Sequence, residues 1–260
     1  MRERDLELLK IRLEEIKKMG WVKNQRPGNT GGVGNTLEDL LDVAENNLQA
    51  PDFGEWELKS QRANSGSLLT LFHYEPRPRN AVIVRDILLP LYGWPHQKAG
   101  TKYPANEKSF RQTINTTFYS ERGFTVHIDR ENQRILVSFD YSMIHSRHAQ
   151  WRDYLKAGAG TGDIRPAPYW TFADIEEKLD TKLKNLMYVK AETRYIKGEE
   201  FFRYHKFEAY IDPTLDRFLK LLEDGMIFVD FDARTGHNHG TKFRIRPEAK
   251  VNLYQKHIIV

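Results

Sequence analysis

Leucine and isoleucine recur at Leu6, Leu9, Leu13 and Ile16, with charged residues between them. That spacing lines one face of a helix and predicts a helix over 3–19, stopped by Gly20. A second helical pattern, "LEDLLDVAENN" at 37–47, follows the glycine-rich "RPGNTGGVGNT" at 26–36; Thr36 is placed as its cap and Asp39 as its capping-box partner. The period then shortens to two. Strands are expected over 53–59 and 68–73, and "GFTVHIDRENQRILVSFD" alternates on both sides of a turn, which predicts a hairpin.

Helical spacing returns over 171–185, where Thr171 caps a run carrying Ile175, Leu179 and Leu183. Strands are expected near 186–193 and 200–211. "DPTLDRFLKLLEDG" predicts a helix with Asp212 as cap, Pro213 in the first turn and Gly225 as stop. A last strand pair, near 226–232 and 242–246, flanks the loop "ARTGHNHGT". Two polar loops, 92–106 and 156–168, are long enough to suggest a functional role. Helices and strands mix without strict alternation, so the predicted class is mixed α/β, of the α+β kind. A chain of 260 residues fits one domain in two lobes.

Composition narrows the chemistry. The chain has no cysteine, which excludes disulfides, thiolate zinc sites and a cysteine nucleophile. No apolar run reaches about 18 residues, so no membrane span is expected. "MRERDLELLKIRLEEIKK" shows no signal core, and the expected location is the cytoplasm. Forty basic residues against 36 acidic ones give a net charge of +4, which permits a nucleic-acid partner without requiring one. The glycines of "GNTGGVGNT" do not make a phosphate-binding loop, because Asn35 stands where its lysine belongs and no strand pattern leads in. They read as a connector into a helix.

The sharper signal is "APDFGEWELK" at 50–59. An acid-x-Lys triplet occurs five times in the chain, so the triplet alone carries nothing. In helical patterns, as at Glu15/Lys17, Glu176/Lys178 and Asp180/Lys182, residues two apart point in different directions. On a strand they share a face. "FGEWELK" would put Trp56 and Leu58 on one face and Glu55, Glu57 and Lys59 on the other, with Asp52 just ahead. A solvated strand face fits this pattern. So does a magnesium site, with Asp52 and Glu57 as hard oxygen ligands, Lys59 orienting a water and stabilising charge, and Glu38 adding a carboxylate from the preceding helix.

Pro51-Asp52, four residues, then Glu57-Leu58-Lys59 resembles the PD-(D/E)xK nuclease superfamily. More closely, "GNTGGVGNTLEDLLDVAENNLQAPDFGEWELKS", "SLLTLFHYEP", "YWTFADIEEKLDTKLK" and "HNHGTKFRI" resemble the MvaI/BcnI family of type II restriction endonucleases, with their MutH-like core. The resemblance implies a central mixed sheet flanked by helices and two lobes around a DNA cleft. It implies Mg2+-dependent hydrolysis of phosphodiesters in duplex DNA at short sites of CC-N-GG type. It assigns Asp52 and Glu57 as metal ligands, Lys59 as catalytic lysine and Glu38 as the helix acid. It further implies a monomer and a cognate DNA methyltransferase that is not a stable subunit. The catalytic lobe would centre on 1–75 and the recognition lobe would include 226–246. A repair-type nicking endonuclease and a DNA-binding protein without cleavage are the alternatives; the clustered acids argue against the second.

"DFDARTGHNHGTKFRIR" at 230–246 supplies candidate DNA-reading residues: Asp230, Asp232, Arg234, His237, Asn238, His239, Lys242 and Arg244. Arginine and lysine read guanine, asparagine suits adenine, and an acid accepts from cytosine N4. The same stretch also fits a solvated basic turn, or a His237/His239 metal pair. "HYEPRPRN" adds His73 and Arg77 as contacts to backbone or central base pair, and "SFRQTINTTF" and "MIHSRHAQWR" are similar clusters.

Overall fold

The computed structural model of the chain describes residues 2–29, 31–43, 51–79 and 82–260. Its contacts divide the chain into two compact units. The first comprises Met1–Ser67, Glu176–Arg217 and Lys250–Val260; the second comprises Leu68–Ile175 and Phe218–Ala249. The fold is mixed α+β, as the unalternating pattern predicts. Among the described residues, no helix is long and apolar enough to cross a membrane.

In the first unit the strand order is Val22–Lys23, Glu199–Pro213, Asn185–Ile196, Glu57–Arg62, and Tyr254–Ile259 also pairs with Glu199–Pro213. The long hairpin of Asn185–Ile196 and Glu199–Pro213 is antiparallel, whereas Glu57–Arg62 joins Asn185–Ile196 in parallel. The helix Arg2–Met19 buries the predicted stripe: Leu9 and Leu13 are fully enclosed, packed in one cluster with Trp56, Leu58, Met187, Val189 and Phe207. Gly20 ends it in the left-handed region at φ +69°.

Three predicted boundaries move. The second helix runs Gly32–Leu40 and starts inside the glycine loop, so Thr36 is a buried interior residue rather than a cap. The Thr36 hydroxyl accepts from Gln25 N at 3.1 Å, and a Cβ on Gly32 would meet Asn24 Nδ2 at 2.8 Å. The glycine thus serves close packing against 24–25, and Asp39 pairs with Arg26 instead of capping. Residues 44–47 of that predicted helix lie outside the described residues. The strand expected at 53–59 begins at Glu57, because Phe53 and Trp56 exchange backbone hydrogen bonds in a tight turn. The helix expected from Asp212 is Leu215–Glu223, and its cap is Thr214, which accepts from Arg217 N at 3.3 Å.

The second unit holds two sheets. One runs Leu69–His73, Lys242–Ile245, Ile227–Arg234, Lys108–Ile114, Trp94–Pro95, with His237–Asn238 also on Ile227–Arg234. The other comprises the predicted hairpin, Arg122–Asp129 with Arg134–Ile144, and Tyr169–Thr171. Rings fill the core: Phe110 meets Phe124 and Phe231 edge-on, and Phe243 packs on Phe72 and Trp170. Thr171 caps the helix Phe172–Thr181 as expected: its hydroxyl accepts from Asp174 N, and the Asp174 carboxylate accepts from Thr171 N.

Candidate active site and nucleic-acid interface

In the first unit, parallel pairing sets Glu57 opposite Leu186 and Lys59 opposite Tyr188. A strand covered on both faces buries both side-chain rows. Trp56 and Leu58 lie in the core, as their alternation suggests, but Glu57 is 2% exposed and so does not sit on a solvated face. Asp52 reaches the strand from the preceding loop, where its Oδ2 accepts from Leu58 N at 2.9 Å. The intervening turn needs Gly54 at φ +57°, since a Cβ there would fall 2.5 Å from Asp5 Oδ2.

Glu57 is met by ammonium groups on both oxygens. Lys59 Nζ lies 2.5 Å from Oε1 and Lys182 Nζ lies 2.8 Å from Oε2; Lys182 is also 3.9 Å from Asp52 Oδ1. Burial pushes the Glu57 carboxyl above the usual range; the Lys59 charge opposes this, Asp52 adds to it, and the Lys182 contact opposes it. The fully buried Tyr254 phenol is held well above its ordinary value by burial, with Glu57 adding. Lys59 and Lys182 keep about a fifth of their side-chain surface exposed, so the cluster opens to solvent on its lysine side. Glu38 lies on the helix Gly32–Leu40, close to the strand: a Cβ on Gly34 would be 3.5 Å from Ser60 Oγ and 4.0 Å from Glu38 Oε1.

Sequence reasoning brought together Asp52, Glu57 and Lys59 but missed Lys182. Asp180/Lys182 looked like an ordinary helical acid–lysine pair. Lys182 in fact follows the end of the helix Phe172–Thr181, and its position was readable only from the pairing of 185–196 with 57–62.

In the second unit, the solvent-side residues of three adjacent strands form a row of charges. Asp232 receives Arg111 Nε at 2.5 Å and Lys242 Nζ at 3.2 Å, while Asp230 receives Thr113 Oγ1 at 2.8 Å and Arg244 Nη1 at 3.2 Å. Despite partial burial, Arg111 and Lys242 hold the Asp232 carboxyl below the usual range. Asp230, Asp232, Lys242 and Arg244 thus stand together, joined by Arg111 and Thr113. A shallow pocket of about 290 Å³ opens over Arg111, Gln112, Thr113, Asp230 and Asp232.

The other candidates are engaged differently. Arg234 pairs with buried Glu107 at 2.9 Å and stacks on Tyr103 at 4.5 Å. The Asn238 side chain staples its own loop, donating to Glu75 at 3.2 Å and accepting from Gly240 N at 2.9 Å. The His237 and His239 rings meet edge to face at 4.2 Å, and among the described residues no group of three acids or histidines suited to a metal is present. His73 is exposed and pairs through its backbone register with Lys242. Arg77 grips Asp174 through Nε at 2.7 Å and Nη2 at 2.9 Å, which makes it an anchor of its own unit. Glu75 and Asp174 were not singled out in the sequence; single acids in loops and helix starts carry no motif.

Against known proteins, the chain is similar to the solved restriction endonuclease MvaI in complex with its cognate DNA substrate. Identity is 26% over 98% of this chain and 97% of that one, with a TM-score of 0.78. It is also similar to MvaI in the absence of DNA, at 25% identity, the same coverage and a TM-score of 0.54. No curated protein sequence matches. The family model for the MvaI/BcnI restriction endonucleases matches residues 10–254, nearly the whole chain. The chain therefore belongs to the MvaI/BcnI restriction endonuclease family and is a site-specific DNA endonuclease.

Proposed function

We propose that this endonuclease hydrolyses both strands of duplex DNA at a short CC-N-GG-like site, acting as a monomer with Mg2+. The observation that carries the reading is the meeting of Asp52, Glu57, Lys59 and Lys182 around one buried carboxylate. The residues fit a divalent cation. Two carboxylates offer hard oxygens, and Glu57, whose charged form burial and Asp52 disfavour, is a group that a further positive charge would stabilise. Asp52 and Glu57 would hold the ion, which supplies polarisation of the phosphate and a more acidic water.

The chain's own residues do the rest. Leu58 N holds the Asp52 carboxylate through Oδ2, while Oδ1 faces Lys182 at 3.9 Å. Lys59 presents the hydrogens that Glu57 does not take to the attacking water and to the charge that grows on the phosphoryl oxygens. Glu38, from the adjacent helix, is the candidate third acid. In the second unit, Asp230, Asp232, Lys242 and Arg244 would face base edges, with His73, His237 and His239 beside them. A methyltransferase guarding the same site, and a cytoplasmic location, belong to this reading.

Plasmid DNA of known sequence, incubated with the protein and Mg2+, tests it. Linear products with ends mapping to one short site support the reading, and nicked circles alone support the repair-type activity instead. Asp52→Ala and Glu57→Ala should abolish cutting while DNA binding persists, because removing an acid lessens repulsion of phosphates. Lys59→Ala should slow single-turnover cleavage by orders of magnitude at nearly unchanged affinity. Wild-type rates in either acid variant would refute the site.

A further inference from the structure

Lys182 is placed unlike the other cation of the site. Lys59 contacts Glu57, whereas Lys182 spans both acids, 2.8 Å from Glu57 Oε2 and 3.9 Å from Asp52 Oδ1. Joining two carboxylates is the task of the divalent ion under the reading above, on which this inference rests. The two ammonium charges oppose the cost of burying the Glu57 carboxylate beside Asp52. The Lys182 backbone is fixed, its N–H donating to Lys178 O at 3.0 Å at the helix end. Its ammonium sits on a flexible four-carbon stem, and the side chain remains 21% exposed, so the head has a path to water.

We infer that Lys182 is a built-in counter-ion that holds Asp52 and Glu57 together in the metal-free protein and is displaced when the cation enters. Loading the ion then requires expelling an ammonium. Free protein holds the ion weakly, and a DNA phosphate, which offers both a metal ligand and a new anionic partner for Lys182, favours loading. Metal binding and DNA binding are coupled through this one side chain.

Calorimetric titration of the DNA-free protein with Mg2+ alone, at constant ionic strength, tests this without any cleavage. Lys182→Met should bind Mg2+ on the order of tenfold more tightly than wild type, while Lys182→Arg, which keeps the charge, should stay close to wild type. A scaffold that merely orders the two acids predicts the opposite, weaker binding by Lys182→Met. Equal or weaker binding in Lys182→Met, with binding lost in Asp52→Ala, would overturn the inference and leave the metal reading standing. No detectable binding in Lys182→Met would overturn the inference, and the metal reading would stand or fall separately on the cleavage assays of Asp52→Ala and Glu57→Ala. Where Lys182→Met does not fold, Lys182→Gln, which keeps a donor for Glu57, carries the same comparison.

Discussion

Beside its backbone pairing, one carboxylate ties down the loop carrying His237 and His239, and removing it has a calculable effect. Glu75 Oε1 accepts from Thr241 N at 2.9 Å and Asn238 Nδ2 at 3.2 Å, and Oε2 accepts from Thr241 Oγ1 at 3.1 Å. Thr241 is 1% exposed, so in Glu75→Ala its N–H and hydroxyl lose their acceptors in a place water reaches poorly. A buried donor left unmatched costs about 1–3 kcal/mol. The hydroxyl can rotate and the Asn238 amide is exposed, so the working figure is about 2 kcal/mol, a single donor's worth. The backbone contact from Tyr74 N to Thr241 O at 2.8 Å remains, so the loop loosens rather than detaches. Local opening should become about 30-fold more frequent, since each 1.4 kcal/mol is a factor of ten. Amide hydrogen exchange at Thr241 reads this directly, and Glu75→Gln, with one carbonyl left for the Thr241 N–H, should fall between. Unchanged exchange at Thr241 in Glu75→Ala would refute the reasoning. If the loop reads bases, the same variant should lose discrimination between cognate and scrambled duplexes while its cleavage rate on bound cognate DNA holds.

Asp174→Asn should lower stability by about 2 kcal/mol at neutral pH through loss of a charge-assisted hydrogen bond, measured by urea unfolding. Burial opposes the Asp174 charge, but the hydrogen bonds from Arg77, Thr171 and Tyr74 hold its carboxyl well below the ordinary value. A depressed folded-state pKa stabilises above the unfolded carboxylate value, near 3.9, and that gain disappears as pH falls through the folded value. The gap between wild type and Asp174→Asn should therefore narrow progressively below about pH 4; a gap that widens there would contradict the assignment. Arg234→Ala should destabilise by about 3 kcal/mol, because it leaves the buried Glu107 carboxylate unpaired while Arg234 itself is partly exposed. A variant with unchanged stability and reduced affinity for cognate DNA alone would return Arg234 to the base-reading row.

The strand motif was legible because its information is local. Proline, the acid spacing and the alternation of Trp56 and Leu58 with Glu57 and Lys59 all fall within nine residues. Burial of Glu57 was not legible, since it comes from parallel pairing with Asn185–Ile196, well over a hundred residues away. The helix 3–19 and the Thr171 capping box were readable for the same local reason. Thr36 misled because Ser, Thr, Asp and Asn at a helix start are also ordinary partners of nearby backbone; here its hydroxyl serves Gln25 N, and the helix starts earlier, at Gly32, which packs against Asn24. Arg77 and Arg234 show the limit of reading function from basic clusters. Both look available in sequence, and both are committed to buried acids that no pattern announces.

The same logic applies to the charge row under the proposed reading. Asp232 with Arg111 and Lys242, and Asp230 with Arg244, satisfy one another without DNA. A base edge that binds such a row competes with these internal partners for the groups it takes. A C·G pair suits that competition: cytosine N4 donates to the acid, and guanine O6 and N7 accept from the base beside it. A T·A pair at the same place turns an acceptor, thymine O4, toward the acid, and the freed arginine or lysine and its carboxylate cannot both be matched. Discrimination then comes from the penalty of an unmatched group rather than from extra affinity for the right one, which is how polar sites reach high selectivity.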